Sequence, residues 1–178
     1  MWQILRALNY MHHSIKIAHR DIKAENILLM GDSENLTAKL CDFGFAIKSD
    51  CNSEPYNLSK LVGSPYYIAP EVFNEAYDSR CDLWSMGILL YYMLSRSFPF
   101  TGQNPNEIFH NIKHGMLSFE GAQWENTSSQ AKDLISRLLV RDPSIRLSTV
   151  EALHHPFINK AFHVNKLCRT ISAACQHS

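Results

Sequence analysis

The sequence predicts a mainly α-helical fold, a helical bundle with one small β-hairpin near its amino-terminal end. Apolar residues recur at helical spacing in several segments, which predicts helices with one buried face each. Residues 82–94 are apolar nearly all round and predict a helix at the centre of the bundle. The chain has 178 residues, 46% of them hydrophobic. A chain of this size can bury about 70% of its unfolded surface.

The first predicted elements are a helix and a hairpin. Apolar residues at 4, 5, 8 and 11 form one stripe, so a first helix is expected to end before His19. The apolar runs 27–30 and 38–41 are separated by a Gly-Asp-Ser turn and predict a small antiparallel hairpin.

The later helices have recognisable starts. Ser79 or Asp78 is expected to cap the central helix. Asn104 precedes a proline and an acidic residue, the pattern of another helix N-terminus. Residues 127–130 start a helix with apolar positions at 131, 134, 135, 138 and 139, and Ser148 starts the last one.

Two short motifs hold the residues of greatest chemical interest, HRDIKAEN at 19–26 and DFG at 42–44. Asp21 can accept a proton from a hydroxyl group, and Lys23 carries a point charge able to reach a phosphate. Asn26 and Asp42 offer the hard oxygen ligands that Mg²⁺ prefers. These are the parts that phosphoryl transfer needs, because that reaction depends on positioning and charge neutralisation.

Further motifs follow in a fixed order: GSPYYIAPE at 63–71, DLWSMG at 82–87, FPF at 98–100, and RDP at 141–143 with Arg146. With the first two motifs they resemble the C-terminal lobe of eukaryotic serine/threonine protein kinases, and most nearly the calcium/calmodulin-dependent group. The resemblance implies a kinase C-terminal lobe at 1–158, a mobile activation and docking segment at 42–71, and a tail at 159–178. That tail is expected to form a short helix or a frayed terminus.

The resemblance implies a protein serine/threonine kinase that uses ATP and Mg²⁺. Asp21 would be the catalytic base, and Lys23 would contact the transferred phosphate. Asn26 and Asp42 would bind the metal ion. Calcium/calmodulin regulation of a full-length form is a further implication.

The resemblance also implies what the enzyme phosphorylates. Lys23 is typical of kinases that act on serine or threonine rather than tyrosine. Glu25 matches an acidic position that pairs with a substrate arginine, so protein substrates with a basic motif near the acceptor are expected. Ser64 stands where relatives have threonine and keeps a hydroxyl able to bridge Asp21 and Lys23.

Four more residues are assigned structural roles by the resemblance. Glu71 and Arg146 would form a buried ion pair, and Asp82 would hold the backbone of residues 19 and 20. Arg20 would bind a phosphorylated activation loop. Lys60 stands where an anion is expected, so phosphorylation would have to occur elsewhere, at Ser49, Ser53 or Ser59. Ala24 replaces a usual proline, which removes no ligand.

The seven glycines form no G-x-G-x-x-G loop, and no upstream strand carries a phosphate-binding lysine. The amino-terminal β lobe of the family is therefore expected to be missing, with Met1 matching an internal position. A lobe without this phosphate cradle is expected to be nearly inactive by itself. Two alternatives remain open: a non-catalytic docking or regulatory module that binds partners through residues 60–120, and a fragment that regains activity when the other lobe is supplied.

Composition and residue spacing disfavour two classes of partner and indicate a reducing compartment. Seventeen basic and seventeen acidic residues without a long charged block disfavour nucleic-acid and membrane-surface partners. Five cysteines without CxxC spacing indicate reduced thiols, with Cys41 expected in the core, and a cytoplasmic or nuclear protein is predicted. The adjacent histidines at 12–13 and 154–155 are interpreted as surface or capping groups.

Overall fold

The computed structural model describes residues 1–32, 35–48, 65–73 and 77–159. Helices dominate, as predicted. The regular elements are α1 (Trp2–His13), β1 (Ile17–Ala18), β2 (Ile27–Met30), β3 (Thr37–Leu40), β4 (Ile47–Lys48), α2 (Cys81–Ser95), α3 (Pro105–His114), α4 (Ser129–Leu138) and α5 (Thr149–His154). Short 3₁₀ turns lie at Ala24–Asn26, Pro65–Tyr67, Pro70–Phe73 and Ala122–Trp124.

Helix α2 is the centre of the bundle, as its apolar composition predicts. Its first eleven residues are all buried, and Trp84 is fully enclosed. Gly87 lets α4 approach closely, because a Cβ there would lie 2.8 Å from Cδ2 of Leu139 and 2.9 Å from Cβ of Leu138. The absence of a side chain at this position therefore sets the distance between the two helices.

The start of α2 differs from the prediction. Arg80 is its N-cap residue and makes no capping hydrogen bond with its side chain. The Asp78 carboxylate instead accepts a hydrogen bond from the Arg80 N–H at 2.8 Å, in a turn before the helix. Backbone bonds from Cys81 and Asp82 to Asp78 and Ser79 tighten this turn, so neither predicted residue caps the helix at its first turn.

The other three helix starts agree with the sequence. The side chains of Asn104, Ser128 and Ser148 accept hydrogen bonds from backbone N–H groups three residues on, at 3.0, 3.2 and 3.3 Å. At α5 the Glu151 carboxylate also accepts from the Ser148 N–H, which completes a capping box.

The predicted hairpin is present, with its second strand one residue earlier than expected. Strand β2 pairs antiparallel with β3, and Ile27 lies opposite Leu40. Gln3 of α1 fixes this hairpin, since its amide group bonds to the Ala38 N–H and to the Leu36 carbonyl. A second antiparallel pair joins β1 to β4.

Two of the histidines interpreted as surface or capping groups are buried, although His155 is the C-cap residue of α5 and its Nδ1 accepts from the Phe157 N–H at 3.3 Å. His12 and His155 are buried, and each bonds to a carboxylate: His12 Nε2 lies 2.8 Å from Asp82 Oδ2, and His155 Nε2 lies 2.9 Å from Asp133 Oδ2. Position 12 lies four residues after the buried Leu8, so the helical stripe itself places it inward. Cys41 is half-buried, not a core thiol, and both Cys41 and Cys81 are free.

Several predicted features lie outside the described residues. They are Ser64 and Lys60, the candidate phosphorylation sites Ser49, Ser53 and Ser59, and residues 160–178 of the tail. Among the described helices, none combines the length and apolar character needed to cross a membrane.

Candidate active site

The Asp82 carboxylate fixes the start of the HRDIKAEN loop. This fully buried group accepts hydrogen bonds from the backbone N–H of His19 to Oδ2 and of Arg20 to Oδ1, both at 2.8 Å. It also bonds to His12. Asp82 lies in the first turn of α2, where the helix dipole favours a negative charge. The loop is therefore attached directly to the central helix.

Three predicted site residues form one hydrogen-bonded cluster. Lys23 Nζ lies 2.8 Å from Asp21 Oδ2. Asn26 Nδ2 donates to the same carboxylate oxygen and to the Asp21 carbonyl, each at 2.8 Å. The side chains of Asp21 and Lys23 retain 16% and 17% exposure, so this ion pair is largely shielded but still reachable from solvent.

The backbone around Asn26 explains how the cluster is held. Residues Ala24–Asn26 form a 3₁₀ turn, and the Asn26 N–H bonds to the Lys23 carbonyl at 3.2 Å. The Asn26 carbonyl accepts from the Cys41 N–H at 2.9 Å. Because Asn26 uses its amide nitrogen for Asp21, its carbonyl oxygen Oδ1 is the atom suited to bind a cation. The bond to Cys41 also brings the DFG segment beside this turn.

Asp42 occupies an exposed turn of its own. It has a left-handed backbone conformation with φ of 61°, which aspartate tolerates better than most residues. Its Oδ1 accepts from the Gly44 N–H at 3.2 Å. Gly44 itself has no positive φ, so the special backbone conformation belongs to the aspartate and not to the glycine. A Cβ on Gly44 would meet the Asp42 carboxylate at 3.2 Å.

His19 connects the two motifs. Its Nε2 lies 3.2 Å from the Cys41 carbonyl, and its Nδ1 accepts from the Asp21 N–H at 3.3 Å. The His19 ring also packs on Phe43, with centroids 5.0 Å apart. One buried imidazole thus contacts the backbone on both sides of the site.

Arg20 holds the chain that follows the DFG motif. Its Nε donates to the Phe45 carbonyl at 2.7 Å, and its Nη1 donates to the Tyr77 hydroxyl at 2.8 Å. Its backbone is left-handed, with φ of 68°. The guanidinium therefore lies between the DFG segment and the chain that leads into α2.

Glu71 and Arg146 form a bidentate, buried ion pair. The two Nη···Oε distances are 2.5 and 2.8 Å. Arg146 also donates to the carbonyls of Val140 and Arg80 at 2.8 and 2.9 Å, so its charge is well satisfied. This pair joins the Pro70–Phe73 turn to the C-terminal half of the bundle.

An aromatic stack beside the loop was not found from the sequence. The rings of Tyr66 and Phe98 lie 4.3 Å apart and nearly parallel at 8°, and Tyr92 stacks on Phe98 at 4.8 Å. Tyr67 meets the edge of Phe98 at 5.5 Å. The only sign of this stack in the sequence is that two distant segments contain aromatic residues, and that composition does not indicate which rings contact each other.

Burial and neighbouring charges raise the pKa of two groups, Tyr67 in this aromatic stack and Cys81 beside Asp82. Burial and then the negative charge of Glu25 raise the pKa of Tyr67 to about 12, with a smaller contribution from Tyr92. Glu25 and Tyr92 are thus both within electrostatic range of the Tyr67 hydroxyl. Burial is the main cause that raises the pKa of the Cys81 thiol well above its ordinary value, and the negative charge of Asp82 raises it further. This thiol therefore stays protonated.

Comparison with known proteins gives a consistent family. The protein kinase domain matches residues 1–158. Calcium-dependent protein kinase 3 of Plasmodium yoelii yoelii is 43% identical over 160 residues, which cover 90% of this chain and 29% of that protein. Serine/threonine-protein kinase PEPKR2 of Arabidopsis thaliana is 39% identical over 174 residues, covering 98% of this chain and 35% of that protein.

Calcium-dependent protein kinase 25 of Arabidopsis thaliana is similar to the same extent, with 42% identity over 146 residues. This match covers 82% of the chain and 28% of that relative. The chain therefore spans about a third or less of the length of these curated relatives.

Proposed function

This chain belongs to the protein kinase family, and on that premise we propose that it supplies the catalytic loop of a serine/threonine kinase that uses ATP and Mg²⁺. The observation that carries the proposal is the cluster of Asp21, Lys23 and Asn26, joined by contacts of 2.8 Å. A carboxylate that accepts a proton, beside a cation that can face a phosphate, is the chemistry such a transfer requires.

Each residue has a distinct task in this proposal. Asp21 accepts the proton of a serine or threonine hydroxyl and orients its oxygen for attack. Lys23 neutralises negative charge on the phosphate, and its ion pair keeps it next to Asp21. The bond from Asn26 limits the Asp21 carboxylate to one orientation. Removing a general base lowers a rate by about 10²–10⁴-fold.

The side-chain oxygen atoms of Asn26 and Asp42 fit a magnesium ion. Asn26 offers a carbonyl oxygen and Asp42 an exposed carboxylate, and the bond between Cys41 and the Asn26 carbonyl places the two segments side by side. A bound Mg²⁺ would neutralise phosphate charge there. Gly44 supports this arrangement, because its N–H holds one Asp42 oxygen.

We propose that these 178 residues need a glycine-rich phosphate-binding segment for turnover, because their sequence holds none. The test compares three proteins in Mg²⁺-dependent phosphate transfer from ATP to a basic serine peptide: the chain, the chain joined to the amino-terminal lobe of a related kinase, and that fusion with Asp21→Ala. Activity in the fusion that falls at least 100-fold with Asp21→Ala is the expected result. A folded fusion without activity would contradict the catalytic proposal.

Substrate choice is proposed to rest on Glu25 and the aromatic stack. Exposed Glu25 offers a carboxylate, and the exposed ring of Tyr92, which stacks on Phe98, offers a surface on which a guanidinium can stack. An arginine near the acceptor would use both contacts, whereas lysine lacks the planar group that stacks. Tyr92→Ala is expected to reduce kcat/KM for an arginine peptide by about 3–10-fold more than for its lysine analogue.

A non-catalytic docking module is the second candidate, favoured by the exposed ring of Tyr92 at the edge of the same aromatic stack. In that case a basic peptide binds the chain itself, and binding persists in Asp21→Ala but falls in Tyr92→Ala. Fluorescence anisotropy with labelled peptide separates the two functions. Binding together with transfer in the fusion supports the kinase, and binding without transfer supports the docking module.

Regulation and location are proposed from the relatives and the thiols. Relatives carry the name calcium-dependent protein kinase, and we extend calcium-linked regulation to the full-length form of this protein. The 178 residues contain no D-x-D-x-D-G loop, so calcium would act through other residues or a separate sensor such as calmodulin. The free thiols of Cys41 and Cys81 support a reducing compartment, the cytoplasm or the nucleus.

A further inference from the structure

The outward face of α3 carries two histidines one turn apart. His110 and His114 are both exposed, their ring centroids lie 4.9 Å apart, and the ring planes meet at 50°. The buried residues of this helix are Ile108 and Ile112. At 3.6 residues per turn the histidine pair lies on the side of the helix opposite this apolar stripe, open to solvent.

The spacing of this pair matches what one metal ion requires. Imidazole is a preferred ligand of zinc, copper and nickel, and two histidines at i and i+4 are the arrangement by which a helix binds one ion with two rings. Two rings each bound at about 2.0–2.1 Å to a tetrahedral ion have centroids about 5 Å apart. The observed separation is already close to that value.

The surroundings leave the two rings available. Within the described residues neither ring forms a hydrogen bond or an ion pair, and each ring packs against the other. The neighbouring cation, Lys113, is directed over the Phe73 ring, with Nζ 5.0 Å from its centroid. No group of three or more metal-binding side chains occurs in the described part of the chain, so water would complete the coordination.

We propose that His110 and His114 form a surface site for one divalent transition-metal ion of the zinc and copper class. The site is independent of the proposed phosphoryl transfer, because it uses none of the residues of the HRDIKAEN or DFG motifs. Copper binds more tightly than zinc, following the general order for nitrogen ligands. Binding through two rings of one rigid helix exceeds binding through a single ring by about 10²-fold, because the second ring is already held in place.

The test uses the full chain without an affinity tag, since nine histidines are present and a tag would add competing ligands. Calorimetric titration with Zn²⁺ and with Cu²⁺ is expected to give one tightest site per chain. His110→Asn and His114→Asn are each expected to weaken that site at least tenfold. The matched control is His154→Asn, which removes an exposed histidine from α5 and should leave the tightest site unchanged.

Copper spectroscopy provides a second measurement. The electron paramagnetic resonance spectrum of the first equivalent of Cu²⁺ should show two nitrogen ligands, and one nitrogen fewer in either α3 variant. Circular dichroism establishes that each variant is folded. An unchanged tightest site in both His110→Asn and His114→Asn would overturn the proposal, as would an equal loss in His154→Asn.

Discussion

The two sides of the candidate active site are built differently. The side that carries Asp21 is attached to the bundle through the buried Asp82 carboxylate, which holds two backbone N–H groups and His12. The side that carries Asp42 is exposed, and within the described residues its carboxylate accepts a hydrogen bond from the N–H of Gly44, two residues away.

This difference separates what the bundle determines from what it leaves adjustable. In the proposed function Asp21 receives a proton, and a carboxylate with that role needs a fixed orientation, which a buried anchor supplies without help from a ligand. The role proposed for Asp42 is to bind a hydrated cation, and a carboxylate with that role can adjust when the ion arrives. We therefore expect substitutions on the first side to alter the stability of the fold, and equivalent substitutions on the second side to alter function alone.

The largest contrast is expected between Asp82→Ala and Asp42→Ala. The first leaves one buried and one partly buried N–H group and a buried imidazole without their partner, and we expect a loss of about 3–5 kcal/mol in the free energy of unfolding. The second removes an exposed group and should change stability by less than about 0.5 kcal/mol. Urea unfolding followed by circular dichroism measures both, and equal losses would show that the two sides are not distinct.

A smaller contrast is expected between two glycine substitutions. Gly87→Ala forces a Cβ to within 2.8–2.9 Å of side chains in the α4 region, so overpacking should cost about 1–3 kcal/mol. Gly44→Ala meets one flexible carboxylate at 3.2 Å, in a backbone conformation without positive φ, and should cost less than about 0.5 kcal/mol. Thermal unfolding checks both variants, and a larger loss at Gly44 would contradict the comparison.

The third contrast compares adjacent histidines. His12→Ala removes one buried hydrogen bond of Asp82, and we expect a loss of about 1–2 kcal/mol because the two backbone bonds remain. His13 is exposed, and the contacts of its Nδ1 to the Asn9 carbonyl at 3.2 Å and to the Thr149 hydroxyl at 3.4 Å are long, so His13→Ala should be nearly neutral. The urea midpoints of the two variants measure this difference. Indistinguishable midpoints would mean that the hydrogen bond from His12 to Asp82 does not stabilise the fold.

The helices and their caps could be predicted from the sequence because they depend on interactions between residues close together in the chain. The stripe in α4 and the caps at Asn104, Ser128 and Ser148 each involve residues within about one turn. The start of α2 was predicted wrongly because two polar residues were available there, and the backbone turn rather than a side chain satisfied the first N–H groups.

The closeness of three candidate site residues was predictable from the sequence, whereas their roles stay a prediction. The cluster of Asp21, Lys23 and Asn26 lies within six positions of the chain, so its closeness follows from the loop itself. The partner of His12 lies 70 positions away and that of Tyr66, Phe98, lies 32 away, and no periodicity specifies such pairs. Contacts of this kind depend on how helices pack, which the sequence pattern does not determine.

The smallest expected effect concerns the second histidine–carboxylate pair, which is half exposed where the first is buried. The hydrogen bond from His155 lowers the pKa of Asp133, and Arg137 lowers it further. Because the pKa of Asp133 is lowered in the folded state, this pair stabilises the protein at pH values above the pKa of an unfolded aspartate, about 3.9. The contribution is lost as the pH falls through the lower pKa of the folded state.

The free energy of unfolding should therefore fall between pH 5 and pH 3 less steeply in Asp133→Asn than in the unmodified chain. Solvent screens a carboxylate that is 47% exposed, so the difference should stay below about 1 kcal/mol. Urea midpoints at four pH values measure the slope, and identical slopes would show that the exposed pair contributes nothing to stability.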